Sequence, residues 1–161
     1  MENETIILID KSHTAGFYVN VGELIKVLKN KAFKNSPDDA PVLIHQGDGR
    51  GDDMQPLTAV FKCGSFNCDK LHLQSGWYDV ANETLGKKAI VYQDYRNEED
   101  GYVKRKELID ILSTINPLDK VLIMTEGEQA LHLLTTVLKC SEECPSVHLL
   151  SGYTNDVYNA N

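Results

Sequence analysis

Carboxylates follow apolar runs at three places in this 161-residue chain. Asp10 closes Ile6-Ile-Leu-Ile9, Asp94 comes just after Ala89-Ile-Val-Tyr92, and Glu126 comes just after Val121-Leu-Ile-Met124. If these runs are parallel strands, their C-terminal ends share one edge of a sheet. Asp10, Asp94 and Glu126 would then lie along that edge, where such sheets place ligands. The same residue types also serve as plain turn and helix-capping groups. Cys63-x4-Cys68 and Cys140-x3-Cys144, with His72 and His148 nearby, carry zinc-ligating atoms, at a looser spacing than a zinc-ribbon knuckle. Buried thiol packing accounts for the same cysteines. Gly47-Asp-Gly-Arg-Gly51 has the glycines of an anion cradle, but Asp48, Asp52 and Asp53 oppose an anion and no Gly-Lys-Ser/Thr follows. No cofactor is expected.

Regular elements must carry these groups, and apolar runs set against turn signals give a steady alternation. Thr5–Ile9 reads as a buried strand, and Val21–Leu28 places Leu24, Ile25 and Leu28 on one helical face. Asn35–Asp39 is loop chemistry. Pro41–Ile44 reads as a strand, followed by the Gly/Asp-rich loop, a helix over Met54–Lys62 and a strand over Lys70–Leu73. The pattern then recurs. Strands over Ala89–Tyr92, Lys120–Met124 and Ser146–Leu150 alternate with helices over Lys104–Ile115 and Gln129–Lys139. This alternation predicts one α/β domain, with a mainly parallel sheet covered by helices on both faces.

The recurrence extends to individual residues. Leu57-Thr-Ala-Val-Phe-Lys-Cys63 matches Leu134-Thr-Thr-Val-Leu-Lys-Cys140, and Cys68, His72-Leu73 and Ser75-Gly76 match Cys144, His148-Leu149 and Ser151-Gly152. Asp79-Val80 answers to Asp156-Val157, Asp10 to Asp94, Glu23-Leu24-Ile25 to Glu107-Leu108-Ile109, and Val42-Leu43-Ile44 to Val121-Leu122-Ile123. Shared α/β patterning explains matching apolar runs, but not paired Cys, His, Ser-Gly and Asp-Val positions. The chain reads as two diverged β-α-β-α-β copies, 1–83 and 84–161.

The first half resembles a rhodanese-like domain. Ile6–Asp10 is similar to the strand that ends in that family's Asp-x-Arg motif, which Asp94-Tyr-Arg96 matches more closely. Pro41–Arg50 resembles the strand and active-site loop, and Leu71–Trp77 and Val147–Tyr153 resemble the closing strand. Each half is shorter than a typical member. The family's chemistry uses a nucleophilic cysteine at the start of a tight loop, stabilised by backbone N–H groups and a helix N-terminus. Here Gln46 stands at that place, and Thr125 in the second half. Neither can carry a persulfide or a phosphocysteine. The resemblance therefore implies a pseudoenzyme with no catalytic residues. Inactive members serve as protein-recognition modules, including kinase docking in dual-specificity phosphatases, so a protein partner is implied. The implied interface is the loop pair carrying Gln46, Asp48, Arg50, Asp52, Thr125 and Glu126.

Two other resemblances compete. A PIN/NYN-type nuclease, or an inactive relative of one, would use Asp10, Asp94 and Glu126 as metal ligands, although His13 lies near where an Asn usually follows the first Asp. A von Willebrand A-like metal-dependent binding domain is the third reading. Asp10-Lys-Ser12-His-Thr14 resembles its Asp-x-Ser-x-Thr motif, and Thr125-Glu-Gly127 its Thr-Asp-Gly.

Composition narrows the classes further. Sixteen basic against 24 acidic residues leave a net charge of −8, which disfavours broad nucleic-acid binding. Lys26, Lys29, Lys31 and Lys34 read as a solvated, favourably charged helix end. The acidic start and the short apolar run after it predict neither a targeting signal nor a membrane span. The expectation is a cytoplasmic or nuclear protein with reduced cysteines. Trp77, Tyr78, Tyr95, Tyr102 and Tyr153 are candidate interface anchors, and the oligomeric state is left open.

Overall fold

A computed structural model describes residues 5–13, 17–34, 36–45, 54–62, 70–76, 90–96, 98, 100–124, 132–139, 141 and 144–151. In chain order the elements are β1 (Ile6–Asp10), α1 (Val21–Leu28), a 3₁₀ turn (Lys31–Phe33), β2 (Val42–His45), β3 (Met54–Lys62), β4 (Lys70–Ser75), β5 (Ile90–Asp94), α2 (Arg105–Leu112), β6 (Lys120–Met124), β7 (His132–Lys139) and β8 (Val147–Ser151). Among the described residues no helix is long and apolar enough to cross a membrane.

The expected α/β architecture is overturned. Among the described residues the chain is mainly β, with eight strands and two short α-helices, and most strand pairs are antiparallel. The difference lies in two segments. Apolar spacing predicts helices over Met54–Lys62 and Gln129–Lys139, yet the first is the strand β3 and most of the second is the strand β7. Each contains a β-bulge, between Leu57 and Ala59 and between Leu134 and Thr136. The extra residue turns the inward positions of these strands into Leu57 and Val60, and Leu134 and Val137. A spacing of three mimics a helical face although the backbone is extended. The β-branched residues Thr58, Val60, Thr135, Thr136 and Val137 favour the strand.

Six strands close a ring of hydrogen-bonded pairs in the order β2, β3, β4, β6, β7, β8 and back to β2. Within this ring only β2–β8 and β4–β6 are parallel. Each ring strand contributes two buried residues to one core: Val42 and Ile44, Leu57 and Val60, Leu71 and Leu73, Val121 and Ile123, Leu134 and Val137, Val147 and Leu149. The helices touch each other and add Leu24, Leu28, Leu108 and Leu112 to that cluster. Asn20 starts α1 by accepting the Glu23 amide at 2.8 Å while Glu23 accepts the Asn20 amide at 3.1 Å, which satisfies two otherwise orphaned donors. At α2 the Glu107 carboxylate accepts the Lys104 amide at 3.3 Å.

β1 and β5 lie outside the ring, and each pairs with the opposite half of the chain. β1 runs antiparallel to β7, with Ile6 opposite Lys139 and Asp10 opposite Thr136. β5 runs antiparallel to β3, with Ile90 opposite Lys62 and Asp94 opposite Ala59. The helix starts cross over as well. Asn20 bridges Lys120 and Lys104 bridges Pro41, while the Val21 amide donates to Asp119 O and the Arg105 amide to Ala40 O. Side chains tighten the exchange. Arg105 and Lys139 both lie over the buried Phe33 ring, and they donate to the carbonyls of Leu28 and Ala32. Lys62 pairs with the buried Asp119 at 2.6 Å.

This crossed pairing can be tested by cutting the chain. Fragments 1–83 and 84–161 should each lack a folded monomeric state, because β1 and β5 find their ladders only on the other fragment. Mixing them should restore cooperative unfolding by circular dichroism; a fragment that unfolds cooperatively as a monomer would contradict the crossed pairing. A second test concerns the start of α1. Gly22 donates its amide to Pro117 O at 2.9 Å, and a Cβ there would stand 3.0 Å from Pro117 Cβ. The corresponding helix position in the second half is Lys106, whose amide stands farther off, 3.3 Å from Asp38 O. Gly22→Val should therefore cost about 1–3 kcal/mol in urea unfolding; unchanged stability would mean the Pro117 turn yields freely.

Candidate functional site

Gln46, Asp48, Arg50, Asp52, Thr125 and Glu126 lie outside the described residues, as do Thr14, Trp77, Tyr78, Tyr153, Cys63, Cys68 and Cys140. The ends that frame the two candidate loops are described. His45 pairs with Met54, so residues 46–53 join the antiparallel strands β2 and β3. Residues 125–131 likewise join β6 to β7. The next described element after each segment is a strand, β3 and β7 respectively.

Asp10 and Asp94 end antiparallel outer strands, not parallel ones. Each carboxylate is spent on groups close by. Asp10 accepts the Ser12 amide at 2.9 Å, the Ser12 hydroxyl, and the Thr136 hydroxyl at 3.1 Å, with His13 Nε2 3.2 Å from its other oxygen. Burial alone would raise its pKa, but these hydrogen bonds and the nearby imidazole hold it below the ordinary value. Asp94 accepts from the Arg96 amide at 3.0 Å and from Arg96 Nε and Nη2 at 2.9 Å. Here too burial works upward and is outweighed, in this case by the Arg96 hydrogen bonds and charge. A carboxylate clamped in two places by a buried guanidinium is a poor cation ligand. Among the described residues no group of three His, Cys, Asp or Glu is placed to hold a metal ion. The Asp94–Arg96 contact was legible as Asp-x-Arg. The Thr136 contact was not, since it depends on β1 pairing with β7.

Two features stand out beyond the carboxylates. The first is a pair of open strand edges. Among the described residues β1 pairs only with β7, and β5 only with β3. Ile7 is 59 % exposed and Val91 48 %, at matching positions opposite Leu138 and Phe61, and Ile90 is 54 % exposed. Before their terminal Asp neither strand carries a charge or a proline, the residues that usually blunt an edge. A cavity of about 360 Å³ lies beyond β1, lined by Lys11, Phe17, Tyr18, Asn20 and Glu23. Its charges are already engaged, Lys11 with Glu23 and Glu23 with the α1 start.

The second feature is a row of three side chains around β8. His148 Nδ1 lies 2.8 Å from His45 Nε2, and Cys144 Sγ lies 3.9 Å from His148 Nε2. His45 and Cys144 thus meet opposite sides of one ring, so the three do not converge on a shared point as zinc ligands must. His72, the counterpart of His148, stacks on Phe61 with ring centroids 4.9 Å apart. Burial, then the nearby His45, lowers the His148 pKa to about 4, and burial with the Lys70 charge lowers that of His72.

Comparison with protein families, with characterised proteins and with solved structures gives no match. Function must therefore be inferred from the geometry alone.

The buried His148 makes stability pH-dependent in a defined window. Above about pH 6.5 the group is neutral in both states; between 6.5 and about 4 only the unfolded chain takes up the proton. Stability should thus fall as pH drops through this window, by roughly 3 kcal/mol in full from this group. His148→Gln should flatten the slope of unfolding free energy against pH between about 7 and 4. Parallel slopes for the two proteins would rule the assignment out.

Proposed function

We propose that this chain is a non-catalytic protein-interaction module that takes an extended segment of a partner protein as an added strand on β5 or β1. The observation that carries this reading is the apolar, uncharged open edge repeated at Ile7 and Val91. Such an edge presents unpaired backbone N–H and C=O groups in register, and an incoming strand satisfies them. Each net backbone hydrogen bond contributes about 0.5–1.5 kcal/mol, and burial of the exposed side chains adds apolar area. Backbone pairing supplies affinity here, and Ile7, Ile90 and Val91 supply the preference for apolar partner residues. Since both halves present such an edge, one chain offers two similar sites.

The competing metal-dependent nuclease reading is less well supported. Asp10 and Asp94 are committed to hydrogen bonds within the chain, and the net charge of −8 opposes a phosphate backbone.

Ile7→Lys, Val91→Lys and the double variant test the proposal. Both positions are exposed, so folding stability should change by no more than about 0.5 kcal/mol. Proteins retained from cell extract by the wild-type chain should be reduced by each single variant and lost with the double, while Leu118→Lys, an exposed site on the turn before β6 and outside both edge strands, retains them. The same proteins retained by the double variant would overturn the edge assignment. Cleavage of RNA by the wild-type chain in millimolar Mn²⁺, abolished by Asp94→Asn, would favour the nuclease instead.

A further inference from the structure

The row of Cys144, His148 and His45 has no part in strand addition. Its geometry derives from the ladder. β2 runs parallel to β8 with Leu43 opposite His148, so His45, two residues further on, faces the same side. Cys144 precedes β8, and its amide donates to Ser141 O at 3.2 Å. Cys144 is a thiol on a partly exposed residue, with Ser146 O 3.8 Å and His148 Nε2 3.9 Å from its sulfur. His148 is 4 % exposed, whereas His45 is half-buried. We propose that Cys144, His148 and His45 form a base-activated thiol site, in which the Cys144 sulfur is a nucleophile toward soft carbon electrophiles.

The two contacts fit one productive arrangement of protons. A neutral His148 ring carries one N–H. With that proton on Nδ1, donated to His45 Nε2, the Nε2 lone pair faces the thiol. When the sulfur attacks an electrophilic carbon, the S–C bond forms and the leaving group departs with its electron pair. The thiol proton passes to His148 Nε2 while the His148 Nδ1 proton passes to His45 Nε2. Positive charge then appears on half-buried His45 and not on the buried ring between. A single buried imidazole that resists protonation would be a weak base for a thiol. Two in series move the charge to the less buried ring, which lowers the cost of protonation. A packing role does not explain the row. The counterpart His72 stacks on Phe61, and the strand position matching His45 is Met124, so of the two parallel seams, β2–β8 and β4–β6, only β2–β8 carries a second imidazole.

Iodoacetamide, a primary alkyl halide, tests the site at neutral pH, with alkylation of each cysteine followed by peptide mass spectrometry. Cys144 in the folded chain should react about tenfold or more faster than the same cysteine in the urea-unfolded chain. His45→Met, which installs the residue the second half carries at the matching position, should bring the folded rate down to the unfolded rate or below. His148→Gln should do the same, and His45→Met decides the question if that variant does not fold. A packed structural thiol gives the opposite sign, reacting more slowly folded than unfolded. That result, or a His45→Met rate equal to wild type, would overturn the proposal.

Discussion

The exchange of outer strands between the two halves is the constraint on which the rest of the structure depends. β1 completes the ladder of β7, and β5 that of β3, so each half contributes a strand that only the other can pair. The helix starts obey the same rule. Val21 and Arg105 donate their amides across the exchange, and Phe33 of the first half is covered by Arg105 and Lys139 of the second. Backbone groups that would be orphaned within one half are satisfied by the other. The cost of leaving them unmade links the halves more firmly than apolar contact alone, because a slipped pairing would strand several donors at once.

This exchange also explains why, among the described residues, two edges stay open. β3 and β7 are the long strands of the ring, and each has room for the added outer strand beside its two ring neighbours. The ring closes on itself and has no edge of its own, so the outer strands inherit the unpaired backbone. A closed ring thus concentrates its capacity for strand addition at β1 and β5, where Ile7, Ile90 and Val91 are exposed. The thiol row sits elsewhere, around the parallel seam of β2 and β8, the one place where His45 and His148 share a face.

The bulges do two jobs in this architecture. They allow Leu57 and Val60, and Leu134 and Val137, to face a single core from a continuous strand, and they bend the strands that the ring requires to curve. The turns after the outer strands differ, with Asp10 bound by Ser12 and Thr136 and Asp94 by Arg96. One backbone solution is therefore held by two different side-chain sets, which frees each half to vary its surface.

Much of the local structure was written in the sequence. α1 follows from Asn20, Glu23 and the Leu24–Leu28 face, and six of the eight strands are short apolar runs bounded by turn residues. The matched residues of the two halves, from Asp10 and Asp94 to Ser75 and Ser151, could be read directly. The two remaining strands could not, because a bulge converts the two-residue period of a strand into the three-residue spacing of a helix, and one-dimensional spacing cannot separate them. From that ambiguity came the expectation of a parallel sheet between helices. Partnership was equally hidden. Thr136 on Asp10, His45 on His148 and Arg105 over Phe33 join residues 126, 103 and 72 positions apart, and nothing in their local sequence names the other. Local preference decides what an element is when burial and period agree. Which elements meet, and so which groups can act together, is decided only when the ladders close.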